Sequence, residues 1–371
     1  MSARTADDMR PYPAVDLGQA HAASLLGALR GPPLPSLLLS GPEGTGKTLA
    51  ALELARALAC ERPAPCDLSA GDECDACLKA SLLEHAGIQL IFPTPTQGSG
   101  EDDEGDVTDT ARILDEMRRD FFSRVRFAKK TSIRVARARA VIKRANTKPF
   151  GYPYHVFIFV DAHAMREEAQ NALLKLVEEP PAHALLVFMT TNPEAILYTI
   201  RSRCQHVRFS PLKAEVVERV LAGYYGAAVE DARRAAALSH GSITRARALL
   251  EAQDEGEREV AAAFVEGLAG EGEAWAIGRA LALGRGANRE GVARFLDEVA
   301  LLFRDVMAGE ERLLVNKDMA ARLAPLRGRW KRTALPGIID RIGESRGRIL
   351  LANASIDSTL ADLFLAIHRC R

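Results

Sequence analysis

Two clusters of residues in this chain have the types and spacing to do chemistry. The first is "GPEGTGKT", residues 41–48, where Gly41, Gly46, Lys47 and Thr48 satisfy G-x-x-x-x-G-K-[ST] and Gly44 adds a third glycine. Glycines let backbone N–H groups come close to a phosphate. Lys47 supplies a point charge for the outer phosphates, and Thr48 offers a hydroxyl to Mg²⁺. A helix starting at that point adds the positive end of its dipole. The pattern predicts ATP or ADP with Mg²⁺; the bland reading is a structural glycine turn with a stray lysine. The second cluster is Cys60, Cys66, Cys74 and Cys77, which closes with C-x-x-C. Four soft ligands without histidine favour a tetrahedral Zn²⁺, and four protein ligands leave no open position, so the predicted role is structural. The bland reading is four reduced, unliganded thiols.

These residues need elements to hold them. "SLLLS" (36–40) reads as a short buried strand, and "LAALELARALA" as the helix after the glycine turn. Further apolar strands are predicted at 156–160 and 185–190, with a helix between them. Alternating strands and helices imply an α/β fold with a parallel sheet covered on both faces. The acidic stretch 98–109, "GSGEDDEGDVTD", is predicted to be a mobile loop. After Phe209 the pattern is helical to the end, with a break at "SHGS" (239–242) and amphipathic runs at 290–307 and 357–368.

The strand in "HVFIFVDAHAM" (155–165) ends in one acid, Asp161. Hydrolysis of a nucleotide needs an acid for Mg²⁺ and usually another to orient water. If Asp161 is the metal acid, Ala162 stands where the water-orienting acid belongs. If Asp161 orients water, Val160 stands at the metal position. His163 and Glu167 are possible substitutes that nothing in the spacing favours. The strand therefore predicts a protein that holds nucleotide and hydrolyses it poorly or not at all.

Lysine plus arginine and aspartate plus glutamate number 49 each, so only local charge can point to a partner. Residues 118–148 hold twelve basic residues and one acid, with Arg134, Arg137, Arg139, Lys143 and Arg144 on or near one predicted helix. Such a face suits phosphate neutralisation without sequence reading, or it is simply solvated. No stretch approaches the ~20 apolar residues of a membrane span, and the N-terminus lacks a signal-peptide core. A soluble, cytoplasmic protein with no membrane partner is expected.

"NALLKLVEEPP" (171–181) and "TIRSRCQ" (199–205) resemble the clamp-loader ATPases of bacterial DNA polymerase III, the gamma/tau and delta-prime subunits of the AAA+ class. The resemblance covers residues 16 to about 250 and is looser beyond. It implies an AAA+ P-loop domain at 1–210 with a zinc module at about 60–77, a helical lid at 211–252 and an all-α collar at 253–371. Gamma/tau subunits carry an Asp-Glu pair where this chain has Val160-Asp161; a non-acidic residue followed by Asp-Ala is a delta-prime pattern. The intact phosphate loop departs from some delta-prime subunits. The resemblance also implies that Arg203 serves in trans, reaching the γ-phosphate on a neighbouring subunit. An arginine finger of this kind is worth roughly 10³–10⁵ in rate, or about 4–7 kcal/mol of barrier. It further implies a first sensor at Thr191 and Asn192, and a second at Arg245, with Arg247 competing. Implied partners are gamma/tau and delta subunits, a sliding clamp and primer–template DNA. The alternatives are a hydrolysing gamma/tau-type subunit, or a zinc-containing nucleic-acid-binding module with a vestigial phosphate loop.

Overall fold

The structure, a computed structural model, describes residues 17–19, 35–62, 66, 73–95, 103–122, 125, 127, 131–251, 255–285, 288–308, 314–351 and 354–371. Its contacts divide the chain into two compact units, Met1–Val220 with Gly241–Arg245, and Leu221–His240 with Ala246–Arg371.

In the first unit β1 (Leu37–Ser40) leads through the glycine turn into α1 (Lys47–Ala59). Then follow α2 (Asp75–Ser81), β2 (Ile88–Ile91), β3 (Thr94–Pro95), α3 (Asp103–Arg119), β4 (Thr131–Ser132), α4 (Val135–Ala145) and β5 (His155–Phe159). The unit continues with α5 (Glu167–Glu178), β6 (Ala184–Thr190), α6 (Tyr198–Arg201) and β7 (Gln205–Arg208). Five strands form a sheet in the order β2-β5-β6-β1-β7, with every neighbouring pair parallel. β3 and β4 make a separate antiparallel pair.

Strand side chains alternate between two apolar layers. Leu37, Leu39, Ile158, Val187 and Val207 pack with Ala51 and Leu54 of α1. Leu38, Phe157, Phe159 and Phe188 pack on the other face with Val141 of α4 and Leu173 of α5. Burial on both faces explains the unbroken apolar runs of β5 and β6. Phe159 and Phe188 are opposite each other in the register, and their rings stack at 4.9 Å.

The expected strands are β1, β5 and β6; the short β2 and β7 and the pair β3–β4 were not read from the sequence. The predicted acidic loop is corrected in part. From Asp103 the segment is helical, because Ile113 and Met117, one turn apart, bury against the α1-side core. Residues 98–102 lie outside the described residues.

α7 (Ala214–Tyr225) and α9 (Ile243–Glu251) each straddle a boundary between the units, and α8 (Val229–Leu238) lies in the second. The second unit continues with α10 (Glu255–Gly270), α11 (Glu273–Gly284), α12 (Arg289–Ala308), α13 (Ala320–Leu323), α14 (Leu335–Leu351) and α15 (Ile356–His368). It holds no strand among the described residues. Its core centres on Phe264, whose ring lies 4.4 Å from that of Phe364 and stacks on Trp275 at 5.7 Å. Asp305, fully buried, accepts the backbone N–H groups of Val315 and Asn316, each at 2.9 Å. Among the described residues no helix is long and apolar enough to cross a membrane.

Phe188→Ala removes a fully buried ring from the sheet's centre. It is expected to lower unfolding free energy by about 3–5 kcal/mol, read as a fall in the urea midpoint of the first unit. A loss under ~1 kcal/mol would contradict the packing described.

Candidate functional site

The parallel register brings three strand ends together. Ser40 of β1 pairs with Thr190 of β6, and Phe159 of β5 with Phe188 of β6. The glycine turn, Asp161 and Thr190 therefore share the carboxyl edge of the sheet, where open α/β sheets bind ligands.

The turn has the shape of a phosphate cradle. Gly44 and Gly46 have φ of +70° and +94°, a region L side chains avoid. A Cβ on Gly44 would lie 2.3 Å from Ser242 Oγ, and one on Gly46 2.6 Å from Leu17 Cδ1. The Gly41 N–H donates to the Thr190 carbonyl at 3.2 Å, which ties the turn to β6. Lys47 is buried, and its Nζ donates to the carbonyls of Gly41 (2.8 Å) and Pro42 (2.5 Å), so its charge is held over the turn. Gly46 starts α1 with no side-chain cap, which leaves the positive helix end to its backbone N–H groups. Thr48, in the first turn of α1, is half-buried. These residues fit a nucleotide phosphate and its Mg²⁺.

The other side of the cradle is built by residues 241–245. The Ile243 N–H donates to the Gly44 carbonyl at 3.0 Å, and the Leu212 N–H to the Gly241 carbonyl at 3.0 Å. Ser242 Oγ accepts the Arg245 N–H at 3.2 Å and so caps α9. Arg245 thus stands in the turn of α9 beside the glycines. Arg247 is engaged along its own helix with Glu251 at 2.8 Å.

At the end of β5 the two neighbours of Asp161 go to opposite layers. Val160 packs with the α1-side core, and Ala162, fully buried, with the other. The layer that carries the glycine turn and α1 therefore meets a valine at this strand end. Asp161 itself has φ +49° and ψ +49°, left-handed backbone that a non-glycine residue adopts at some cost and that aspartate and asparagine tolerate better than most. His163 Nδ1 lies 3.3 Å from Thr190 Oγ1, which also accepts the Asn192 N–H at 3.0 Å. Thr190 is fully buried, whereas Thr191 and Asn192 are exposed. Sequence reasoning missed Thr190. The one available signal is that Thr190 directly continues the unbroken apolar run of β6, which is buried along its whole length.

Arg203 follows α6. Its guanidinium donates to Glu178 (2.7 Å), to the Thr199 carbonyl (3.0 Å) and to Ser202 Oγ (3.4 Å). Cys204 beside it packs against the core, and burial pushes its thiol up to about 12.

The four clustered cysteines converge. Their sulfurs all lie within 4.8 Å of one another, with Cys60 3.7 Å from Cys66 and 3.9 Å from Cys74. A tetrahedral ion with Zn–S bonds of about 2.3 Å sets its sulfurs about 3.8 Å apart, so the set fits such an ion. α1 supplies Cys60 at its C-terminal end, and α2 supplies Cys74 as its N-cap and Cys77 within it. Arg56 of α1 is buried beneath them. It donates to the Cys66 carbonyl (2.7 Å) and Cys77 Sγ (3.7 Å) and pairs with Glu53 at 2.5 Å. Burial opposes charge on Cys74, but N–H groups of Glu61 and Cys77 and the thiols of Cys77 and Cys66 outweigh it and bring Cys74 down to about 7. Burial, then the Cys60 and Cys74 thiols, push Cys77 up to about 12.

In the basic run, Arg139, Lys143 and Arg144 are exposed on α4, while Arg134 and Arg137 are half-buried. Arg137 donates to Thr110 Oγ1 at 2.9 Å. Residues 123, 124, 126 and 128–130 lie outside the described residues.

Residues 30–213 match the sequence profile of the family described as DNA polymerase III, delta subunit. The gamma/tau subunit of DNA polymerase III from Mycobacterium tuberculosis (strain ATCC 25618 / H37Rv) is 31% identical over 188 residues, 50% of this chain and 26% of that protein. The delta' subunit from Bacillus subtilis (strain 168) is 28% identical over 187 residues, 49% of this chain and 44% of that protein. The chain thus spans about a quarter to under a half of the length of these relatives. A gamma subunit-related protein from Thermotoga maritima aligns over 94% of this chain and 99% of its own, at 16% identity and a TM-score of 0.39, too distant to add to the argument.

Titrating the reduced, metal-free chain with Zn²⁺ is expected to saturate at one ion per chain. Thiols that must ionise release protons on binding. With Cys77 held near 12, affinity should fall as pH drops from 8 to 6. Cys77→Ala should lose tight binding, and an unchanged competition titration against a chelating dye would rule the site out.

Proposed function

We propose that this chain, a relative of the DNA polymerase III clamp-loader subunits, serves in a loader as the delta-prime-type protomer. It helps place a sliding clamp on primed DNA and supplies Arg203 to the ATP of an adjoining gamma/tau subunit. The observation that carries this reading is the end of β5, where Val160 rather than a carboxylate faces the α1 layer. A valine offers Mg²⁺ no ligand, so a phosphate loop that can hold nucleotide is paired with incomplete machinery for cleaving it. The work of the protomer is then done across a boundary between subunits.

In this reading Gly41, Gly44, Gly46, Lys47 and Thr48 hold ATP or ADP with Mg²⁺, with Asp161, Thr191 and Arg245 near the phosphates. Thr190, buried at the strand end, supports the sensor position from below. Cys60, Cys66, Cys74 and Cys77 hold a structural Zn²⁺. The organisation proposed is an ATPase-fold domain at 1–210, a lid at 211–252 and a collar at 253–371 that joins gamma/tau and delta partners. Primer–template DNA lies within the assembly, and the exposed arginines and lysine of α4 are charged appropriately for it.

A reading as the hydrolysing motor is favoured by the complete phosphate loop and opposed by Val160. The two separate cleanly. The isolated chain should bind nucleotide, lose that binding in Lys47→Ala, and show little turnover even with DNA and clamp present. Brisk turnover by the isolated chain would overturn the proposal.

In a loader reconstituted with gamma- and delta-type subunits, Arg203→Ala should cut hydrolysis at the adjoining site by about 10³-fold or more. The readout is loss of that site's phase in single-turnover ATP cleavage, with assembly by size exclusion unchanged. Full activity at all sites in that variant would sink the role in trans.

A further inference from the structure

Glu178 closes α5, and Arg203 follows α6. Their side chains meet at 2.7 Å although 25 residues separate them, and each is about two-fifths exposed. The remaining contacts of the guanidinium are also made within this chain. One terminal nitrogen donates to the Thr199 carbonyl and Ser202 Oγ, and the other to Glu178. The fork that would grip a phosphate is therefore partly occupied by a carboxylate, itself an anion with similar acceptor geometry.

We propose that Glu178 is a latch on Arg203: a stand-in anion that holds the finger within its own subunit until a neighbour's triphosphate displaces it. This rests on the reading of Arg203 as acting in trans. A carboxylate held on one terminal nitrogen repels a phosphate arriving at the same fork, so engagement of the neighbour favours opening of the Glu178 contact. Because the pair is exposed, opening is cheap, and the latch tunes the rate without gating it absolutely. Thr199 and Ser202 lie next to Arg203 in the chain and can stay bonded to it while the outer nitrogen changes partner. Glu178 is a positioning residue, since it acts through Arg203 and touches no substrate.

The test is Glu178→Gln, which keeps the shape and removes the charge, placed in the reconstituted loader. Single-turnover ATP cleavage is measured at the adjoining site from about 50 to 300 mM salt. Freeing the guanidinium should speed cleavage by up to about fivefold at low salt, the kinetic equivalent of the ~1 kcal/mol ceiling for an exposed pair. The gain should shrink as salt rises, because screening weakens the latch in the unmodified protein. It should vanish in the Arg203→Ala background, which a change in fold or assembly would not explain.

The outcomes separate the two ideas. If Arg203→Ala has no effect, the reading in trans fails and takes the latch with it. If Arg203→Ala slows cleavage but Glu178→Gln leaves it unchanged or slower, the latch alone is overturned and the reading stands. A gain from Glu178→Gln that persists without Arg203, or that ignores salt, also overturns the latch.

Discussion

Register in the parallel sheet is the constraint on which the rest of the first unit depends. β5, β6 and β1 are apolar on both faces, so alternation of polar and apolar residues cannot fix how they align. Side-chain size does that work. The stacked rings of Phe159 and Phe188 favour the observed alignment of β5 with β6, and Ser40 pairs with Thr190 farther along the sheet. A shift of one residue would send Val160 to the layer of Ala162 and carry Asp161 away from the glycine turn. The distribution of side chains at the strand end is a property of packing as much as of residue type.

α1 extends this order outward. It begins at the phosphate turn and ends at the first thiol of the cysteine cluster, about 20 Å away at 1.5 Å per residue. Both of its ends are therefore tied to groups suited to holding ions. Arg56 fastens the far end, because one buried guanidinium joins a carboxylate of α1, the backbone at Cys66 and the sulfur of Cys77. Were the thiols to ionise around a bound metal, the guanidinium touching Cys77 Sγ would offset part of a charge that an apolar interior resists. The first turn of α9 secures the near end, where the Gly44 carbonyl receives the Ile243 N–H.

The sequence made the local chemistry legible and hid the chemistry that depends on distant partners. The phosphate turn and the four thiols could be read because spacing alone brings their backbone or sulfur groups together. β2 and β7 could not be read, since IQLI and QHVR break their apolar residues with polar ones, whereas the equally short β1 is a wholly buried run. The helix beginning at Asp103 was hidden by its composition; Ile113 and Met117, buried against residues far along the chain, with Leu114 packed beside them, reveal why it forms. Thr190 was passed over for Thr191 because the choice depends on which way a strand residue points. The partnership of Glu178 with Arg203 joins two ordinary surface residues, and nothing in either neighbourhood announces it.

β7 closes the sheet on one side, and a closing strand carries a hazard of its own. Its outer row of backbone donors and acceptors is a template onto which another polypeptide can zip. Four residues give an intruder little to hold, and Arg208 sets an exposed charge along the strand. Brevity and that charge together discourage strand addition, and so keep this sheet from fusing with another into a continuous ribbon.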